Sequence, residues 1–161
     1  MSNGAETPLE ERVAARLKEL KLTITTAESC TGGLVSGRLI NVAGISEQLK
    51  EAYVTYCDEA KHKLLGVKTE TLDTYTAVSR ETAAEMAAGG AKAAQADVCV
   101  SVTGIAGPDG GSEEFPVGLV FIGCYCCGKV TVRRFWFSGD RMAVRTQAVE
   151  AALKLLLECL Q

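Results

Sequence analysis

The stretch TTAESCTGG, residues 25–33, ends a β-branched run, begins a glycine-softened one, and sets Ser29 beside Cys30. A side chain at such a strand-to-helix turn projects from the edge of a sheet. Helix-start amides nearby favour negative charge developing there. Gly32 and Gly33 would let a substrate approach the backbone closely. The chemistry on offer is nucleophilic attack, by the Ser29 hydroxyl or by the Cys30 thiol. The arrangement is that of a nucleophile elbow without the G-x-S-x-G spelling. A helix cap by Ser29 or Thr31 accounts for the spacing at least as simply.

A serine nucleophile needs a base. The chain has one histidine, His62, in DEAKHKLLG, and its neighbour Lys61 is the other candidate. Lys61 falls in the first turn of a short predicted helix. There burial and the helix dipole both disfavour the ammonium, which is the direction a base requires. Tyr56, at the end of the preceding predicted strand, could relay a proton or orient Lys61. Against this, KHK reads equally as a solvated basic face.

The glycine-rich run TGIAGPDGG, residues 103–111, could cradle an anion with backbone amides. It lacks the Lys-Ser/Thr pair of a P-loop and is followed by a strand, so it reads as a substrate or anion loop of unspecified class. Cys124, Cys126 and Cys127 cluster at a predicted hairpin, but no second pair at zinc-ligand spacing accompanies them. They read as small hydrophobes, and no metal is expected.

The elements that must position these residues follow from periodicity. TPLEERVAARLKEL reads as a helix capped by Thr7, and KLTITTAES as a strand. TGGLVSGRLINVAG reads as a helix of small residues ending near Gly44, and LKEAYVTY as a second strand. DEAKHKLLG is a short helix with Asp58 as N-cap and Gly66 at its end. SRETAAEMAAGGAKAAQA is a long helix capped by Ser79. DVCVSVTG is a buried strand, and VGLVFIGCYC and KVTVRRFWF form a hairpin about Cys127-Gly128. DRMAVRTQAVEAALKLLLECL closes the chain as a helix capped by Ser138 or Asp140. Helices alternating with strands, then a late hairpin, predict a single α/β domain over residues 1–161. Its mixed β-sheet would be covered by helices.

Composition bounds the function. Of 161 residues, 47% are hydrophobic and 23% charged, as in a globular domain with a real core. A net charge of −3 without a basic run argues against nucleic acid. No apolar stretch is long enough to span a membrane, and MSNGAETPLEERV has no apolar signal core. Seven cysteines without a secretion signal point to reduced thiols in the cytoplasm. The small-residue helices offer surfaces through which copies could pair as a homo-oligomer.

Four segments taken together, TTAESCTGGLVSGRL, YVTYCDEAKHKLLGV, SVTGIAGPDGGSEEFPVGLVF and FSGDRMAVR, resemble in that order the motifs of the CinA C-terminal domain family. Its characterised enzymes are nicotinamide-nucleotide amidases. The resemblance runs from about Thr7 to the end of the chain. It implies a single α/β domain that hydrolyses the carboxamide of nicotinamide mononucleotide to nicotinate mononucleotide and ammonia, without cofactor or metal. It also implies a serine nucleophile, a lysine base and a tyrosine, which match Ser29, Lys61 and Tyr56. The substrate would then meet Thr31, Gly32 and Gly33 at the elbow. Thr103, Gly104 and Gly107 would meet it in the loop, and Arg141 and Arg145 would hold its phosphate. Three positions in two places depart from the family pattern: Cys57-Asp58 stands where serine and asparagine are usual, and Phe115 where a lysine is common. The first favours a second reading, a nucleotide- or partner-binding module of the same fold without catalysis.

Overall fold

The computed structural model describes residues 5–161. Five strands form one sheet: β1 (Ile24–Glu28), β2 (Tyr53–Val54), β3 (Val98–Gly104), β4 (Leu119–Cys126) and β5 (Lys129–Trp136). The order is β2-β1-β3-β4-β5. β1 runs parallel to both β2 and β3, while β4 and β5 are antiparallel additions. The expected mixed α/β sheet is therefore present.

The parallel half decides where chemistry can sit. Glu28 is level with Val54 and Val102, so the first three strands end at one edge of the sheet. β4 starts there, Gly104 being level with Val120, and β5 ends there, Trp136 being level with Leu119. The segments after β1, β2 and β3 and the start of the last helix all meet at that edge. Ligands bind at this carboxyl edge in open α/β sheets.

Six helices cover the two faces among the described residues. α1 (Leu9–Leu20), α2 (Leu34–Leu39) and α6 (Arg141–Cys159) share one face, where Val13, Leu17, Val35, Leu39 and Leu153 pack on Val98, Val100 and Val102. α3 (Asp58–Leu65), α4 (Thr69–Tyr75) and α5 (Arg80–Ala94) share the other, around Met86, Leu65, Leu72 and Cys99. Alternation along β3 sends Val98, Val100 and Val102 to the first face and Cys99, Ser101 and Thr103 to the second. α5 lies close on the sheet because its facing positions are small. A methyl carbon on Gly90 would sit 2.7 Å from Cys99 Sγ, and one on Gly89 only 1.7 Å from the Leu65 carbonyl. That small-residue stripe is thus occupied within the molecule. No helix among the described residues is long and apolar enough to cross a membrane.

Several local expectations change. The segment expected to be a long second strand touches the sheet at Leu49, opposite Ile24, and again only at Tyr53–Val54. Between them the Thr25 hydroxyl donates to the Glu51 carbonyl at 2.8 Å, where a ladder amide would otherwise bond. α2 closes after Leu39, followed by a 3-10 turn at Ile45–Glu47 whose N-cap is Gly44. Pro8, not Thr7, is the N-cap of α1, and Cys57, not Asp58, that of α3. Ser79 and Asp140 do cap α5 and α6, accepting from the Thr82 and Ala143 amides. α4 has no counterpart in the sequence reading.

Candidate active site

Ser29 follows the last residue of β1, and its amide continues the sheet by donating to Val102 O at 2.9 Å. The chain then turns sharply. The Gly32 amide donates back to the Ser29 carbonyl at 3.0 Å, with Gly32 at φ +57 and Gly33 at φ +101. These left-handed values suit glycine and explain the pair. The turn leaves Ser29 9% exposed, facing a cleft.

Lys61 reaches the same point from the first turn of α3. Its side chain is 1% exposed, and its Nζ lies 3.0 Å from Ser29 Oγ and 2.8 Å from the Thr55 carbonyl. Burial lowers its pKa below the ordinary lysine value, while Asp58, Cys57 and Cys30 pull it back up. A neutral amine has two N–H donors and one lone pair. With one hydrogen given to Thr55 O, the lone pair is free to face the Ser29 hydroxyl. His62 turns elsewhere: its Nδ1 lies 2.7 Å from the Val67 carbonyl. Of the two candidate bases, only Lys61 lines the cleft.

Cys30 lines the cleft too, but its side chain is buried and burial pushes the thiol up to about 11. It is therefore a thiol at neutral pH, and poorly nucleophilic.

The cleft encloses about 280 Å³. Of the residues expected at a site, Ser29, Lys61, Tyr56, Thr103, Gly104, Gly107 and Arg141 line it. Tyr56 is 61% exposed and accepts from Arg141 Nη2 at 2.7 Å, so it stands at the rim, hydrogen-bonded to neither Ser29 nor Lys61. Arg141 Nη1 also donates to the Gly107 carbonyl at 2.8 Å, tying the glycine loop to α6. The Thr103 hydroxyl donates to the Ala77 carbonyl at 2.7 Å.

Thr31, Gly32, Gly33 and Arg145 do not line the cleft. The Gly32 and Gly33 amides are already engaged, the latter with Glu28 Oε1 at 3.2 Å. Among the described residues, the Cys30 and Thr31 amides donate to no protein acceptor. Arg145 faces the back of the turn, where Nε donates to the Cys30 carbonyl at 2.9 Å and Nη2 to the Thr31 carbonyl at 3.2 Å.

The sequence reading missed Glu28. Its carboxylate is fully buried and gathers the start of α2: Oε1 accepts from Gly33 and Val35, at 3.2 and 2.9 Å, and Oε2 from Ser36 at 3.1 Å. The Thr26 hydroxyl adds a fourth bond at 3.2 Å. The available signal was an acid closing a run of otherwise buried residues. Asp58 and Asp109, also unassigned, line the cleft as well.

Comparison with known proteins bears on the same frame. The family described as CinA C-terminal domain matches residues 6–160. The chain belongs to this family. A CinA superfamily protein from Klebsiella pneumoniae superposes with a TM-score of 0.91 at 39% identity, covering 94% of this chain and 95% of that one. The competence/damage inducible protein CihA from Agrobacterium tumefaciens gives 0.93 at 41%, over 98% and 99%. A competence-damage inducible protein, so named, from Clostridium acetobutylicum is 57% identical over 148 residues, 92% of this chain and 36% of its own. This chain thus spans little more than a third of the length of that curated relative.

Within this CinA domain the two departures from the family pattern lie in different surroundings. Asp58 is at the cleft, one turn before Lys61. Phe115 packs against the Ala83, Leu119 and Phe121 cluster and does not line the cleft. Among the described residues, no three His, Cys, Asp or Glu side chains are placed to hold a metal ion in this CinA domain.

Proposed function

We propose that the protein is a Ser-Lys amidase that hydrolyses the carboxamide of nicotinamide mononucleotide, giving nicotinate mononucleotide and ammonia. The observation that carries this reading is the 3.0 Å approach of buried Lys61 Nζ to Ser29 Oγ. A hydroxyl next to a buried lysine of lowered pKa has a base at hand and is thereby an activated nucleophile. The resemblance of the chain's motifs to the amidases of its family supplies the substrate.

In this reading neutral Lys61 takes the Ser29 proton as Oγ attacks the amide carbon. With the Gly32 and Gly33 amides engaged, the Cys30 amide, which has no protein acceptor among the described residues and belongs to a cleft-lining residue, is the elbow donor left for the tetrahedral oxygen. The Lys61 ammonium returns its proton to the departing nitrogen, which leaves as ammonia, and water then cleaves the acyl-enzyme with Lys61 again as base. The Gly107 carbonyl and the Tyr56 phenol held by Arg141 use only two of its five N–H groups, leaving others for the phosphate. The reaction would belong to the cytoplasm, where pyridine nucleotides are handled.

Ammonia release from nicotinamide mononucleotide, followed for the wild type and Ser29→Ala, tests the reading. Release that depends on Ser29 supports it. Nucleotide binding without release would instead support a binding module, which is favoured by one observation: Asp58 holds Lys61 back towards its charged form.

A further inference from the structure

Between α4 and α5 the chain makes a short turn, Thr76–Val78, in a conformation that local sequence disfavours. Thr76 stands at φ +69 and ψ 172. Residues with a side chain avoid this region, β-branched ones above all, and it persists only where the surroundings impose it. Here hydroxyl groups impose it. The Thr82 hydroxyl, fully buried within α5, donates to the Thr76 carbonyl at 2.6 Å, and Ser79 Oγ lies 3.1 Å from the same oxygen. The Thr76 hydroxyl accepts from the Val78 amide at 3.3 Å. The next carbonyl, that of Ala77, accepts from the Thr103 hydroxyl at 2.7 Å.

The turn so held presents an apolar surface to the cleft. Ala77 and Val78 line it, and the other aliphatic residues of the lining are Ile105 and Ala106 of the glycine loop. Val78 is backed by the cluster of Ala83, Leu119 and Phe121, so it cannot easily give way. The turn is also anchored beside the nucleophile. The Ser29 amide bonds the Val102 carbonyl, and Thr103, the next residue of β3, is the one that clips Ala77. In a nicotinamide the ring is bonded directly to the carboxamide carbon. A carboxamide under attack by Ser29 therefore brings its ring against whatever stands next to the elbow. Ala77 and Val78 offer no hydrogen-bonding side chain, so a polar aliphatic substituent placed there would lose its water without replacement.

We propose that the Thr76–Val78 turn is the wall against which the planar ring of the substrate lies. Val78 is its specificity-determining contact, and Thr82, which does not line the cleft, is the positioning residue that holds the wall from inside α5. The proposal rests on the amidase reading and adds to it the residues that select a ring-bearing carboxamide.

The test compares nicotinamide mononucleotide, as substrate in ammonia release, with ribose 5-phosphate, which keeps the sugar and phosphate but has no ring, as competitive inhibitor. Val78→Ala is expected to raise KM for the nucleotide about tenfold, and by more than it lowers kcat, while the inhibition constant of ribose 5-phosphate stays unchanged. Thr82→Val keeps the side-chain shape and loses the hydroxyl. It is expected to raise the same KM severalfold, and Thr82→Ser to restore it. Val78→Ala carries the test alone if Thr82→Val does not fold. Equal weakening of both ligands, a KM that Val78→Ala leaves in place, or a Thr82→Ser no better than a folded Thr82→Val would overturn the wall and leave the amidase reading standing. A wild type that releases no ammonia from the nucleotide would overturn both.

Discussion

Lys61 Nζ and Ser29 Oγ stand 3.0 Å apart, both screened from water. Because burial lowers the Lys61 pKa, the neutral amine forms at lower pH than in a free lysine, whose pKa is about 10.4. kcat/KM for ammonia release is expected to rise with pH along one ionisation centred below that value. Asp58→Asn removes the strongest influence holding the pKa up, so its profile should move to lower pH. A profile that Asp58→Asn leaves in place would show that Lys61 is not the titrating group.

The same shift has a consequence for stability. A lysine with a depressed folded pKa binds its proton less well folded than unfolded. Folding therefore carries a penalty that is full below the folded pKa and fades as pH rises to the unfolded one. Lys61→Met removes it. The variant is expected to lose activity by at least about a thousandfold while melting no lower than wild type at pH 7. The stability gap should shrink in alkaline buffer. His62→Ala, whose ring faces Val67, should keep most activity. The reverse pattern would make imidazole the base.

Ser29→Ala should abolish turnover, by roughly ten-thousandfold or more. Cys30→Ala should leave most of it, because the thiol is buried and protonated. Comparable losses in the two variants, each with a native circular dichroism spectrum, would point to thiol chemistry.

The two arginines are expected to separate kinetically. Arg141 lines the cleft, so Arg141→Ala should raise KM more than it lowers kcat. Arg145 holds the Cys30 and Thr31 carbonyls, so Arg145→Ala should lower kcat through a loosened turn. Isothermal titration of nicotinamide mononucleotide into Ser29→Ala backgrounds gives the binding side of this comparison. A KM effect confined to Arg145 would move the phosphate to the other side of the turn.

Glu28→Ala strands the Gly33, Val35 and Ser36 amides. The expected cost is about 2–4 kcal/mol, read as a lower urea midpoint with an unchanged slope. A midpoint within about 0.5 kcal/mol of wild type would mean that water replaces the carboxylate.

What could be read from the sequence depended on whether a signal was local. The hairpin about Cys127-Gly128, the Ser79 cap and the Gly66 helix end are set by residues adjacent in the chain. Ser29 and Lys61 were visible as candidates because a nucleophile and a base have few chemical types. The roles of Arg145 and Glu28 were not, since each depends on which carbonyls or amides the folded turn presents. The bonds of Tyr56 were equally hidden, its partner Arg141 lying 85 residues on. β2 was overextended because Leu49–Tyr56 has strand-like residues, yet a Thr25 hydroxyl takes over the bonding midway. α4 was missed because TETLDTY buries only Thr71 and Leu72, too little for a periodic signal.

α6 is one unbroken rod of nineteen residues, roughly 28 Å long, with Arg141 and Arg145 at one end and Cys159 at the other. Glu28 braces the elbow from β1 through its amides, and α6 braces it through its carbonyls: those of Cys30 and Thr31 are held by the Arg145 side chain, which is in place only while the first turns of this rod stay wound. The turn and the helix therefore open together. The protected amides of Gly32, Gly33 and Leu34 should exchange with solvent deuterium at the pace set by unwinding of the first turns of α6. Whatever stiffens the rod also lengthens the lifetime of the closed turn.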